Sequence, residues 1–219
     1  MDGMDSGDPH GNQPLERGGE PLTAARAAAV LVHGRGATAG SILSLAGELG
    51  VSGVAYLAPQ ASGNTWYPQS FLAPTEENEP GLTSGLKRLA SLVEELEAAG
   101  FPASRVALLG FSQGACLTLE FAARHARRYG AVIAYTGGLV GPPGTPRSYE
   151  GSFGGTPVFL GSGDPDPHVP WSRVQETADV LSGMGAHVES RRYPGRPHTV
   201  SAEELEQGRA LLERLTGPH

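Results

Sequence analysis

Residues 105–116 read RVALLGFSQGAC, an apolar run that ends in Gly110-Phe111-Ser112-Gln113-Gly114. The run predicts a strand over 105–110, and the spacing that follows predicts a helix over 113–128, with Ser112 at the tight turn between them. A serine on such a turn is held in a strained backbone conformation, and side chains two residues before and after it would collide. Glycine is therefore required at 110 and 114, and the stretch is typical of a nucleophile elbow.

The pattern Gly-x-Ser-x-Gly is weak by itself, because Ser112 could simply cap the helix that follows it. Its partners decide between the two interpretations. A nucleophilic serine needs a histidine base and a carboxylate that orients the base, and behind an elbow of this kind they follow in the order Ser, Asp or Glu, His. After residue 20 the chain has three aspartates, and Asp164 and Asp166 directly follow an apolar run at 156–161. His198 follows the last predicted strand.

Short apolar runs alternate with longer segments of helical spacing along the chain, which predicts a mostly parallel sheet with helices on both faces, an α/β fold. The predicted strands cover 27–32, 53–58, 105–110, 130–135, 156–161 and 186–193. The predicted helices cover 40–49, 82–99, 113–128, 171–184 and 201–215. A nucleotide-binding domain is disfavoured, because the first strand is not followed by Gly-x-Gly-x-x-Gly and the chain has one lysine, Lys87, outside any phosphate-binding loop.

Two loops rich in proline and glycine, 59–81 and 137–155, are long enough to carry function. We expect them to shape a substrate pocket with Trp66, Tyr67 and Leu139. A developing oxyanion needs two backbone N–H donors, and we expect these at Gln113 and at Arg35. Arg35 lies in the segment His33-Gly34-Arg35-Gly36 after the first predicted strand, and His33 is expected to brace that segment.

The chain has 219 residues and a formal net charge of −7. Residues 1–22 are acidic and have no apolar run, so we predict a disordered leader there, not a signal peptide, and a single domain over 23–219. The longest apolar run, 27–32, is too short to cross a membrane. No basic cluster suggests nucleic acid as a partner. With Cys116 as the only cysteine, a cytoplasmic location is compatible, and the sequence leaves open whether the chain forms a homo-oligomer.

A small metal site at Asp164, Asp166 and His168 is the alternative use of these side chains, but no further ligands with metal spacing follow. We therefore expect no metal.

The segments VLVHGRGAT, APQASGNTWYP, LLGFSQGA, DPDPHVP and PGRPHTV occur in this order. With them, residues 27–216 resemble the phospholipase/carboxylesterase family of α/β-hydrolases, which is related to acyl-protein thioesterases and dienelactone hydrolases. The resemblance implies a cofactor-free hydrolase with no separate cap domain, in which Ser112 is the nucleophile, His198 the base and Asp166 the orienting acid. Asp166 matches the family's Asp-Pro-x-Val-Pro segment, although a shift of two residues would make Asp164 the acid.

The expected substrate is a small carboxylic ester cleaved through an acyl-enzyme intermediate. A thioesterase or lysophospholipase is the enzymatic alternative, and a catalytically silent binding scaffold is the alternative from another class. Arg35 departs from many thioesterase relatives, which have an apolar residue beside the oxyanion hole. Its side chain could favour acidic substrates, pair with a carboxylate or be solvated. Cys116 lies one turn too late to replace the serine and is expected to be a buried thiol.

Overall fold

The computed structural model describes residues 7–217, in which seven strands form one sheet with helices on both faces. The strands are β1 (Leu15–Gly19), β2 (Ala27–Val32), β3 (Val54–Pro59), β4 (Val106–Phe111), β5 (Ala131–Tyr135), β6 (Pro157–Asp164) and β7 (His187–Pro194). The α-helices are α1 (Ala39–Leu49), α2 (Gly81–Ala98), α3 (Gln113–Arg124), α4 (Trp171–Gly183) and α5 (Ala202–Thr216). Three short 3₁₀ turns lie at Ser62–Asn64, Thr75–Asn78 and Ala103–Arg105.

The strand order is β1-β3-β2-β4-β5-β6-β7, and every neighbouring pair is parallel except β1 with β3. Parallel strands bring their carboxyl ends to one edge of the sheet, where ligands of open α/β sheets bind. In this register Phe111 pairs with Tyr135, and Asp164 pairs with Pro194. The loops that follow β4, β6 and β7 therefore start from the same edge.

The core has two halves, one on each face of the sheet. On β2, Ala28, Val30 and Val32 belong to the half that packs against α2, α3 and α4, whereas Ala29 and Leu31 belong to the half under α1 and α5. All six β2 residues are buried. The continuous apolar run that predicted this strand is the pattern required when both faces of a parallel sheet are covered.

Each predicted strand and helix starts within one residue of its observed start. Two ends differ. β6 continues to Asp164 because residues 162–164 pair with β7, although Ser-Gly-Asp suggests a loop. α3 ends at Arg124, where His125 leaves the helical conformation. The described chain is one α/β domain without a separate cap, and none of its helices is long and apolar enough to cross a membrane.

The leader predicted for residues 1–22 is wrong from residue 7 onward; residues 1–6 lie outside the described part. Leu15–Gly19 form β1, an antiparallel edge strand. His10, within the predicted leader, is buried, and its backbone N–H donates to Ser84 Oγ at 2.9 Å. Asp8 accepts from Ser84 Oγ and forms an ion pair with Lys87, both at 2.6 Å. Acidic composition misled the prediction, because an edge strand is held by backbone hydrogen bonds and needs little apolar burial of its own.

Candidate active site

Ser112 occupies the turn between β4 and α3 with φ 54° and ψ −120°, a backbone conformation that few residues other than glycine adopt. The flanking glycines are required for close packing. A Cβ at Gly110 would overlap the carbonyl of Gly114, and a Cβ at Gly114 would overlap the carbonyl oxygens of Val32 and His33. The Ser112 side chain makes no capping bond to α3. The interpretation of Ser112 as a simple helix cap is therefore not supported.

Replacing Gly114 with alanine is expected to destabilise the protein by about 3 kcal/mol or more, because backbone atoms of β2 would have to move. The matched control is Gly47→Ala in α1, where a Cβ meets nothing within 4 Å. That change should stabilise the helix by up to about 1 kcal/mol. Urea denaturation of both variants measures the difference. A Gly114→Ala variant as stable as the wild type would contradict the packing described for the elbow.

Ser112, His198 and Asp166 form a continuous chain of hydrogen bonds. His198 Nε2 is 2.8 Å from Ser112 Oγ, and His198 Nδ1 is 2.8 Å from Asp166 Oδ2. The other oxygen of Asp166 accepts the backbone N–H groups of His168 and Val169, each at 2.9 Å. Burial opposes ionisation of Asp166, but these bonds and the one to His198 outweigh it and hold its pKa below the ordinary value. An ionised Asp166 accepts a hydrogen bond from Nδ1–H of His198, which keeps the proton on Nδ1 and leaves Nε2 free to accept from the serine hydroxyl.

Asp164, the competing candidate, points to a different partner. Its carboxylate forms an ion pair with Arg192 of β7. Asp166 is the one of the two whose carboxylate touches His198. Among residues 7–217, no group of three metal-ligating side chains converges, so the alternative metal site at Asp164, Asp166 and His168 has no geometric support.

The loop that carries His198 is anchored by a buried ion pair. Arg196 Nη1 and Nη2 lie 2.5 and 3.1 Å from the two carboxylate oxygens of Glu204, which is fully buried at the start of α5. Glu204 also accepts the backbone N–H of Ser201 at 2.8 Å, so one carboxylate caps the helix and holds the loop. Arg196 Nη1 further contacts the Thr199 carbonyl. These contacts fix the backbone on both sides of His198.

The segment after β2 packs directly against the elbow. A Cβ at Gly34 would lie 3.4 Å from Ser112 Cβ, so glycine permits this approach. Within residues 7–217, the backbone N–H groups of Arg35 and Gln113 have no hydrogen-bond acceptor. Unused backbone donors beside a serine hydroxyl are what an oxyanion hole requires. His33 braces the segment as expected: Nδ1 bonds the Gly34 carbonyl at 2.8 Å, and Nε2 accepts the Ala61 N–H at 3.1 Å.

A cavity of about 620 Å³ is lined by Ser112 and His198, within the size range of small-molecule sites. Of the three residues expected to line it, Tyr67 does so. Trp66 and Leu139 do not line it, and both are fully buried in the core. No sequence pattern indicated the other walls of the cavity, which include Phe71, Leu72, His168, Val169 and Cys116. Burial raises the pKa of the Cys116 thiol to about 12.

Trp66 supports the cavity wall from behind. Its indole N–H donates to the His33 carbonyl at 2.9 Å, and its ring lies 5.1 Å from the imidazoles of both His10 and His33. The Gln113 side chain connects this wall to the elbow. Its Oε1 accepts the backbone N–H of Trp66 at 2.9 Å, and its Nε2 donates to the Tyr67 carbonyl at 2.8 Å. From the sequence, Gln113 was expected to contribute only its backbone N–H, whereas its side chain also positions the loop that contains Trp66 and Tyr67.

Comparisons with known proteins agree on one protein family. The profile of the phospholipase/carboxylesterase family matches residues 19–215. A crystal structure of a phospholipase/carboxylesterase from Dyadobacter fermentans is 47% identical in sequence, with a TM-score of 0.89 over 92% of this chain and 96% of that chain.

Two curated relatives are proteins named acyl-protein thioesterase 1. The one from Gibberella zeae is 28% identical over 151 residues, which cover 65% of this chain and 61% of the relative. The one from Debaryomyces hansenii is 31% identical over 127 residues, which cover 57% of this chain and 55% of the relative. The chain thus matches little more than half the length of these two relatives.

Proposed function

The chain belongs to the phospholipase/carboxylesterase family. We propose that it is a serine hydrolase that cleaves small carboxylic esters through an acyl-enzyme intermediate on Ser112. The observation that carries the proposal is the hydrogen-bonded chain from Ser112 through His198 to Asp166, with the serine held at a positive φ. A simple structural serine requires neither feature.

The reaction follows from this geometry. Ser112 Oγ attacks the ester carbonyl while its proton passes to His198 Nε2, and Asp166 stabilises the imidazolium that forms. The Arg35 and Gln113 N–H groups stabilise the oxyanion of the tetrahedral intermediate. His198 then protonates the departing alcohol, which leaves an acyl ester on Ser112. Water, deprotonated by His198, hydrolyses that ester and restores the serine.

The size and lining of the cavity suit a small substrate. Phe71, Leu72 and Val169 offer apolar contact to an acyl or alkyl group next to Ser112. No cofactor is needed for acyl transfer by this mechanism. A small-molecule ester is therefore the proposed partner, and the proposal includes a cytoplasmic location, with which a single buried cysteine is compatible.

An acyl thioesterase is the second candidate, favoured by the names of the two curated relatives. The test compares kcat/KM for p-nitrophenyl acetate and butyrate with that for octanoyl and palmitoyl thioesters of coenzyme A and for a lysophospholipid. We expect the short esters to be the best substrates. A preference for the thioesters would replace the proposal with the second candidate. If no substrate is turned over and a fluorophosphonate probe fails to label the protein, the chain is a silent scaffold.

A further inference from the structure

The cavity beside Ser112 has a cationic wall. Arg35 lines the cavity, and none of the side chains that line the cavity is a carboxylate. Asp166 lies behind His198 and is engaged by three hydrogen-bond donors. An arginine carries its positive charge at any ordinary pH, so the cavity presents an uncompensated cation to whatever enters it.

Arg35 is also held in place. Its Nη1 donates to the Pro68 carbonyl at 2.8 Å and to Thr65 Oγ1 at 3.2 Å, and its Nη2 donates to the Gln69 carbonyl at 2.5 Å. Within residues 7–217 no carboxylate lies within ion-pair distance of it. Pairing with a carboxylate therefore does not describe this side chain, which is exposed to solvent but held by three hydrogen bonds.

The three bonds to neutral oxygens use three of the five guanidinium N–H donors. The Nε–H and one Nη2–H have no acceptor in the described part of the chain. Free N–H groups of a guanidinium bind carboxylate oxygens through charge-assisted hydrogen bonds. Because its position is fixed by the protein, this group loses little side-chain freedom on binding.

We propose that the substrate is an ester that carries a second, free carboxylate, and that Arg35 binds this carboxylate while its own backbone N–H faces the reacting carbonyl. The proposal rests on the hydrolase function above and specifies its substrate class. Since the same residue supplies both groups, the carboxylate and the ester must be separated by a short chain or a single ring.

The experiment uses two pairs of esters that differ in one charge. The first pair is 4-acetoxybenzoate and its methyl ester, with the anion on the alcohol side. The second is monomethyl adipate and dimethyl adipate, with the anion on the acyl side. For each pair the measured quantity is the ratio of kcat/KM for the anionic ester to that for the neutral ester. Wild type, Arg35→Gln and Arg35→Lys are compared, because both variants shorten the side chain and only the lysine keeps the charge.

We expect Arg35→Gln to lower the ratio by about tenfold or more in at least one pair, mainly through KM, because a charge-assisted bond is lost. Arg35→Lys should retain most of the ratio, and about 0.5 M NaCl should reduce it in the wild type. An unchanged ratio in Arg35→Gln for both pairs would overturn the proposal, since Arg35 would then only hold the loop at 65–69.

A binding measurement separates this proposal from the proposed function. Titration of adipate into the Ser112→Ala variant by calorimetry requires no turnover. Binding that disappears when Arg35→Gln is added supports anion recognition even if the wild type hydrolyses no ester. Equal binding by the single and the double variant contradicts it, whether or not the protein is an esterase.

Discussion

Ester hydrolysis is expected to fall by about 10⁴-fold or more in kcat when Ser112 is replaced with alanine, because the covalent intermediate can no longer form. The loss should match that of a His198→Ala variant, and the double variant should be no worse, since the groups of a triad act as a unit. Turnover of p-nitrophenyl butyrate with each purified variant measures the effect. Near-normal turnover by Ser112→Ala would disprove the mechanism.

The fold should survive this change. The Ser112 side chain makes no capping bond to α3, and its backbone N–H still donates to the Tyr135 carbonyl, at 2.9 Å, when the hydroxyl is gone. We expect a melting temperature equal to or above that of the wild type. Ser44→Ala, on the exposed face of α1, is the matched control that removes a hydroxyl outside the cavity. It should leave kcat unchanged.

The grouping of Ser112, His198 and Asp166 could be predicted because each depends on a local signal. The elbow needs glycine at 110 and 114, and aspartate and histidine follow the ends of later strands. Parallel strands then bring those ends to one edge of the sheet, so sequence order alone predicts their proximity. The choice between Asp164 and Asp166 needed the family resemblance, because two carboxylates only two residues apart cannot be told apart by their position in the sequence.

The cavity walls could not be predicted in the same way. Trp66 and Leu139 lie in the expected loops, but which side of a loop faces the core depends on contacts with distant residues. Trp66 is buried in part because His10, far away in the chain, contacts its ring and donates from Nε2 to the Trp66 carbonyl at 2.9 Å. That contact depends on an ordered N-terminal segment, which the acidic composition had indicated to be disordered. One misjudged segment thus accounts for part of the error about the pocket.

The second large effect is expected at Asp166. Asp166→Asn keeps the shape of the side chain and an oxygen that can still accept from His168 and Val169. The new amide would donate to His198 Nδ1, so the proton would move to Nε2, and the imidazole could no longer accept from Ser112. The corresponding change in serine proteases lowers kcat by about 10⁴-fold. We expect a loss of that order in kcat, with little change in KM.

Asp164→Asn is the matched control, two residues away at the end of β6. It removes a partly exposed ion pair with Arg192 and leaves the bond between Asp166 and His198 intact. Exposed pairs contribute little, about 1 kcal/mol or less, so kcat should change by less than about tenfold. Measuring kcat and KM for both variants on p-nitrophenyl butyrate separates the two carboxylates. If Asp164→Asn were the more damaged, Asp164 would be the orienting acid, because a carboxylate that only pairs with Arg192 has no means of controlling the tautomer of His198.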